Sequence, residues 1–144
     1  MINQFEIWTD GGARGNPGPA AIGFVVKNNN QLIFKSGEFI GKTTNNIAEY
    51  TAVVKALEWL EKNCPIAQLS NCPIVFYLDS QLVVQQLNGK FKVKNIALTN
   101  LIINIKNFEA KFSGKITYQK IDREENYLAD GLVNQALDSA LSSR

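Results

Sequence analysis

Apolar and polar residues alternate near the start of the chain: Phe5, Ile7 and Thr9 fall on one side, and Glu6, Trp8 and Asp10 on the other. This predicts a strand that ends in a turn at Gly11-Gly12 and carries Asp10 at its C-terminal end. Beyond Gly15-Asn16-Pro17-Gly18-Pro19, the apolar stretch Ala20 to Val26, the turn Asn28-Asn29-Asn30 and the segment Leu32 to Ile40 predict a hairpin. Three antiparallel strands therefore open the fold. Near Asn46 the period changes, and Glu49, Val53, Ala56, Leu57 and Leu60 share one face of a helix of about four turns that stops near Cys64-Pro65.

The run Ile74-Val75-Phe76-Tyr77-Leu78 reads as a central strand buried on both faces, ending at Asp79. Ser80 opens a short helix through Leu87, and Leu98, Leu101, Ile105, Phe108 and Phe112 mark a longer amphipathic one. Lys115 to Ile121 reads as a strand, and a last helix carries Ala129, Asp130, Val133, Leu137, Ala140 and Leu141 on one face. The order β-β-β-α-β-α-α-β-α predicts an α/β fold, a mixed sheet with helices packed against it.

At 144 residues the chain fits one domain, 1–144, and 45% apolar with 19% charged residues excludes disorder. The longest apolar stretches fall far short of the roughly 20 residues a membrane span needs. The opening Met-Ile-Asn-Gln-Phe has no basic segment followed by an apolar run, so a cytoplasmic protein is expected. Cys64 and Cys72 have no histidines or further cysteines nearby and read as reduced thiols. A net charge of +2 neither demands nor excludes a polyanionic partner. More informative is the absence of histidine, which rules out Ser/His/Asp and Cys/His catalysis and His-ligated metals.

Among 13 acidic residues, Glu58, Glu61, Glu109 and Asp138 read as members of solvated faces. Four others do not. Asp10 and Asp79 close predicted strands, where open α/β sheets bind ligands, and Glu49 and Asp130 lie on the apolar faces of their helices, where an unpaired carboxylate is costly. Glu49 precedes Val53, Ala56 and Leu60 by 4, 7 and 11 residues, and Asp130 precedes Val133, Leu137 and Leu141 by 3, 7 and 11, so both face the sheet from a first turn. Taken singly, each acid is accounted for by a helix-end charge or a cap. Together they repel one another unless divalent cations neutralise them, and hard oxygen donors select Mg²⁺ or Mn²⁺. Such a cluster suits two-metal phosphoryl chemistry, which needs no histidine and no protein nucleophile.

Thr9-Asp10-Gly11-Gly12 followed by Gly15-Asn16-Pro17-Gly18-Pro19 resembles the opening motif of type 1 ribonuclease H. Thr44-Asn45-Asn46-Ile47-Ala48-Glu49, Asp79-Ser80-Gln81-Leu82-Val83 and Asn126-Tyr127-Leu128-Ala129-Asp130 resemble the next three motifs, in family order. The resemblance implies a five-stranded mixed sheet, strands 1–3 antiparallel and 4 and 5 parallel to the first. It implies that Asp10, Glu49, Asp79 and Asp130 are catalytic acids. They would hold two Mg²⁺ (or Mn²⁺) ions on the RNA strand of an RNA/DNA hybrid, with cleavage leaving 3′-hydroxyl and 5′-phosphate ends. It places Thr44, Asn45 and Asn95, with Lys42 beside them, along the DNA strand, and Gln81 toward a groove. The Gly-rich turn would let Gly11, Gly12 and Asn16 approach the RNA strand, whose 2′-hydroxyls distinguish it from DNA. Asn46 is the better candidate for capping the first helix.

Many family members carry a histidine before the last aspartate. Here Lys120-Ile121-Asp122-Arg123-Glu124-Glu125 stands instead, as in the histidine-free branch. Arg123 is the candidate for a leaving phosphate, against a surface ion pair with Asp122, Glu124 or Glu125. Where larger relatives insert a basic helix, only Lys90, Lys92 and Lys94 are present, which implies a shallower salt dependence of binding. Gly41-Lys42-Thr43 is not a phosphate-binding loop, since Ser36 stands where its first Gly belongs, and the Gly11–Gly18 glycines do not open a βαβ helix. The expected partner is an RNA/DNA hybrid, with double-stranded RNA second, no membrane, and a monomeric state. The alternative is a non-catalytic hybrid or double-stranded RNA binding module of the same fold, against which the four intact acids argue.

Overall fold

The computed structural model describes residues 4–70, 72–90, 92–113 and 115–142. Met1 to Asn3, read above as lacking a leader, and Phe91 of the basic segment lie outside them. Strands β1 (Phe5–Ala13), β2 (Gly18–Asn28) and β3 (Gln31–Thr43) form an antiparallel meander. Asn29 and Asn30 turn the β2–β3 hairpin with φ of 50° and 68°, the left-handed pair that a two-residue hairpin needs and that Asn tolerates. β3 is an edge strand. Its register shifts against β2 leave Ile33 and Ile40 without a partner, and these bulges blunt the free edge.

Helices α1 (Asn45–Asn63) and α2 (Ile66–Ser70) lead into β4 (Ile74–Leu78), followed by α3 (Gln81–Leu87) and α4 (Ile96–Lys111). β5 (Ile116–Lys120), a 3₁₀ turn (Arg123–Asn126) and α5 (Tyr127–Ser142) complete the fold. The sheet order is β3-β2-β1-β4-β5, with β4 parallel to β1 and β5 parallel to β4, as the family resemblance implied.

Adjacent strand positions point to opposite faces. A Cβ built on Gly11 would meet Ala48 of α1, whereas one on Gly12 would meet Val133 of α5, so α1 and α5 lie on opposite faces. The larger core fills the α1 face, where Ile7, Ile22, Tyr50, Leu57, Phe76 and Ile105 are fully buried. Beneath α5 a smaller cluster joins Ala21, Val133 and Leu137.

Three expectations are corrected. β1 does not turn at Gly11-Gly12: both glycines pair with β2, through Gly11↔Ile22 and Gly12↔Ala21, and the strand runs to Ala13. Thr44, not Asn46, caps α1, its hydroxyl accepting from the Ile47 N–H at 3.2 Å. Glu49 is therefore the fifth residue of the helix, two positions further in than expected and past its first turn. The sequence reading also lacked α2, five residues anchored by buried Leu69 and by N–H donation from Gln68 and Leu69 to the Pro65 carbonyl. No helix among the described residues is long and apolar enough to cross a membrane.

Candidate active site

β1 outruns its parallel neighbour. Pairing between β1 and β4 stops at Trp8↔Tyr77, and β4 ends at Leu78, so Asp10 inside β1 and Asp79 just past β4 emerge side by side. That is the crevice beyond strand carboxyl ends where α/β sheets bind ligands. Glu49 reaches the same point from α1, whose backbone rests on Gly11. One carboxylate oxygen each of Asp10, Glu49 and Asp79 lies within 4.8 Å of the other two.

Asp130, expected as a fourth member, is not in this close trio. It lines the same cleft from the first turn of α5, and Asn134 Nδ2 donates to its Oδ2 at 3.4 Å. Its charge still reaches Asp10. Burial, then the charges of Asp79, Asp130 and Glu49, push the Asp10 pKa up to about 8, against the opposing Gly11 N–H. Burial and Asp79 push Glu49 up to about 7, against a Ser80 hydrogen bond and the positive charge of Arg123. Among the described residues no Lys or Arg forms an ion pair with any of the four acids. Three convergent hard oxygens, one on a buried and two on half-buried carboxylates, with no ion-paired cation, fit a divalent metal ion.

Asn126, 1% exposed, fixes one of these carboxylates. Its Nδ2 donates to the Thr9 carbonyl at 2.9 Å and to Asp79 Oδ2 at 3.0 Å, tying the 3₁₀ turn to β1 and aiming Asp79. Its Oδ1 and the Thr9 hydroxyl have no partner among the described residues. Asn126→Ala removes both bonds from a buried site and is expected to cost roughly 1–3 kcal/mol. Thermal unfolding checks the cost, and a Mn²⁺ titration checks the accompanying loss of metal affinity; an unchanged affinity would deny Asn126 its hold on Asp79.

The cleft, of about 530 Å³, brings together Asp10, Gly11, Gly12, Asn45, Glu49, Asp79, Arg123 and Asp130. Asn16 joins them through its Oδ1, which accepts from the Asn45 N–H at 3.0 Å, while Asn45 Oδ1 accepts from Ala13 N–H at 2.7 Å. Both side-chain carbonyls are thus tied to backbone. Lys42, Thr44, Gln81 and Asn95 lie outside the cleft lining: Lys42 is exposed on β3, Gln81 opens α3 in solvent, and Asn95 caps α4 by accepting from Leu98 N–H at 3.0 Å. The alternative ion pair for Arg123 does not form, and Asp122 pairs with Lys120. Asn126 was visible as a motif residue before an inward acid, yet nothing in its spacing gave it a role. Ser80, read from the sequence as a helix opener within its motif, also lines the cleft, as does Arg14, which carried no signal beyond residue type.

A family model described as reverse transcriptase-like matches residues 8–136. A bifunctional protein of Mycobacterium tuberculosis is 36% identical over 139 residues, covering 95% of this chain and 36% of that protein, so the chain spans about a third of this relative. Ribonuclease H of Methylococcus capsulatus is 31% identical over 145 residues, covering 94% of this chain and 90% of that enzyme. Among solved structures, LC11-RNase H1 in complex with an RNA/DNA hybrid superposes with a TM-score of 0.89 at 40% identity, covering 96% of this chain and 99% of that one. The strand order, the carboxylates that the motifs bring to one crevice, and the match along nearly the whole length of the Methylococcus enzyme and of LC11-RNase H1 all agree: the chain belongs to the type 1 ribonuclease H family.

Proposed function

We propose that the chain is a metal-dependent endonuclease that hydrolyses the RNA strand of RNA/DNA hybrids, leaving 3′-hydroxyl and 5′-phosphate ends. The observation that carries this reading is the unpaired trio Asp10, Glu49 and Asp79 with oxygens within 4.8 Å, in a cleft that the family's hybrid-bound member shares in fold. The trio, with Asp130 beside it, would hold two Mg²⁺ or Mn²⁺ ions. Such ions supply Lewis-acid polarisation of a phosphate and a bound water of lowered pKa.

The chain's own residues do the rest. Gly11 and Gly12 present main-chain groups on the cleft wall, within reach of a sugar-phosphate strand. Asn16 and Asn45 keep their amide NH₂ groups for ligand, because their carbonyls are already bonded: Asn16 for the RNA strand, where a 2′-hydroxyl is a fitting acceptor, and Asn45 for the DNA strand. Asn126 holds Asp79 in register with Asp10. Arg123 sits close enough to act on Glu49 and supplies positive charge for a leaving phosphate.

The test is cleavage of a labelled RNA/DNA hybrid in Mg²⁺ and in Mn²⁺, with single-stranded RNA, double-stranded RNA and duplex DNA alongside. Hybrid-selective cutting with 5′-phosphate ends is expected. Hybrid that binds and stays whole in both metals would leave a non-catalytic binding module instead.

A further inference from the structure

We propose that Arg14 is a phosphate anchor for the nucleic-acid strand in the cleft, gripping a backbone phosphate next to the one being cut. The inference rests on the nuclease reading and adds to it a binding residue outside the sequence motifs.

Arg14 lies in the β1–β2 loop and lines the cleft. Its Nη2 donates to Asp138 Oδ1 at 2.7 Å, and weakly to Asn134 Oδ1 at 3.4 Å, both on α5. Asn134 in turn donates to the Asp130 carbonyl at 3.1 Å. Asp130, Asn134 and Asp138 recur every four residues, so they form one ladder on α5 that leads from the acid cluster to Arg14. The loop itself is clamped. Ala13 N–H is bonded to Asn45, Asn16 is bonded to the Asn45 N–H, and Arg14 N–H donates to the Pro19 carbonyl at 2.8 Å.

The result is a guanidinium held at a fixed place on the cleft wall. Only Nη2 has an acceptor among the described residues, so the Nη1 and Nε hydrogens are left to donate singly to phosphate oxygens. Stability does not explain the arrangement, because both side chains of the Arg14–Asp138 pair are well exposed, at 41% and 70%, and such pairs add little. Electrostatics does. Apart from Arg14 and Arg123, every charged side chain lining the cleft is a carboxylate, and a polyanion threaded there needs a cation beside the acids to hold its flanking phosphates.

The test measures hybrid binding in an Asp10→Asn background, so that the strand stays whole, for Arg14, Arg14→Ala and Asp138→Ala. Arg14→Ala is expected to weaken binding about five- to tenfold near 0.1 M KCl and to reduce the slope of log affinity against log salt by about 0.7 to 0.9, one phosphate contact. Asp138→Ala keeps the full slope, since the cation remains. Replacing single phosphates by neutral methylphosphonate then locates the contact: the parent loses affinity at one flanking position where Arg14→Ala loses nothing further. An unchanged slope, an equal response of both proteins at every position, or an Asp138→Ala that matches Arg14→Ala would reduce Arg14 to a loop tie and overturn the proposal. Failure of the nuclease reading looks different, since the unsubstituted protein would then leave the hybrid whole in both metals, whatever Arg14→Ala does to binding.

Discussion

Asp10→Asn is expected to lower hybrid cleavage by about 10³-fold or more, the scale on which groups acting directly on transition-state charge are felt. The same substitution is expected to make the metal-free protein more stable at pH 8. Asp10 is 8% exposed, faces three other carboxylates and has its pKa pushed up to about 8. Folding therefore favours its protonated form, and so it does for Glu49, raised to about 7. Between the ordinary carboxylate range and these values the metal-free fold binds more protons than the unfolded chain, so stability is highest near pH 4 and falls as pH rises through 7 and 8. Asparagine keeps the shape of Asp10 and removes its charge. In chelator at pH 8 the variant's melting temperature should exceed the parent's by about 5 °C, with the gap narrowing toward pH 5. Mg²⁺ should restore the parent at pH 8 and do less for the variant. Melting curves in chelator from pH 5 to 8 decide it: a parent whose melting temperature stays level or climbs with pH would falsify the account of a strained carboxylate cluster.

The second large effect concerns backbone. A Cβ at Gly11 would lie 2.3 Å from the carbonyl carbon and oxygen of Ala48 and 2.5 Å from the Glu49 nitrogen. These are backbone atoms of α1 and cannot rotate away, so Gly11→Ala must push helix and strand apart. The move opens the core at Ile7 and Tyr50 and carries Glu49 away from Asp10. We expect a loss of about 4 kcal/mol or more, lowering the melting temperature by about 10 °C or more. Gly131→Ala is the control. Gly131 lies within α5 with nothing near its Cβ position and no left-handed φ, so alanine there should stabilise by roughly 0.5–1 kcal/mol. Parallel thermal melts would sink the explanation if Gly11→Ala behaved like Gly131→Ala.

That contact also explains why the first strand was misjudged. Tandem glycine is a strong turn signal when a chain is read locally. At Gly11 the glycine serves the close approach of α1, a long-range cause that local pattern does not carry, and the β ladder with β2 continues through it. The capping of α1 was ambiguous for a related reason. Thr44, Asn45 and Asn46 are all competent caps, and the outcome turns on Asn45 being held by Ala13, 32 residues earlier. By contrast the strands, the three long amphipathic helices and the inward setting of Asp10, Glu49, Asp79 and Asp130 were legible, because burial imposes its period directly on the sequence. The separation of Asp130 from the close trio was not, since spacing fixes the face of a helix and not the reach of one side chain. Asn126 stayed hidden because its two acceptors, Thr9 and Asp79, belong to segments far from it in the chain.

Those distant partners bear on how the molecule opens and closes. Asp10, Glu49, Asp79 and Asp130 come from β1, α1, the end of β4 and α5, so an ion site built from them, as proposed, would exist only while all four segments are docked. A bound cation would then work as a clasp between distant parts of the chain. Amide hydrogen exchange should register it, with protection in β1 and α5 rising together on addition of Mg²⁺ even though the two elements are more than a hundred residues apart.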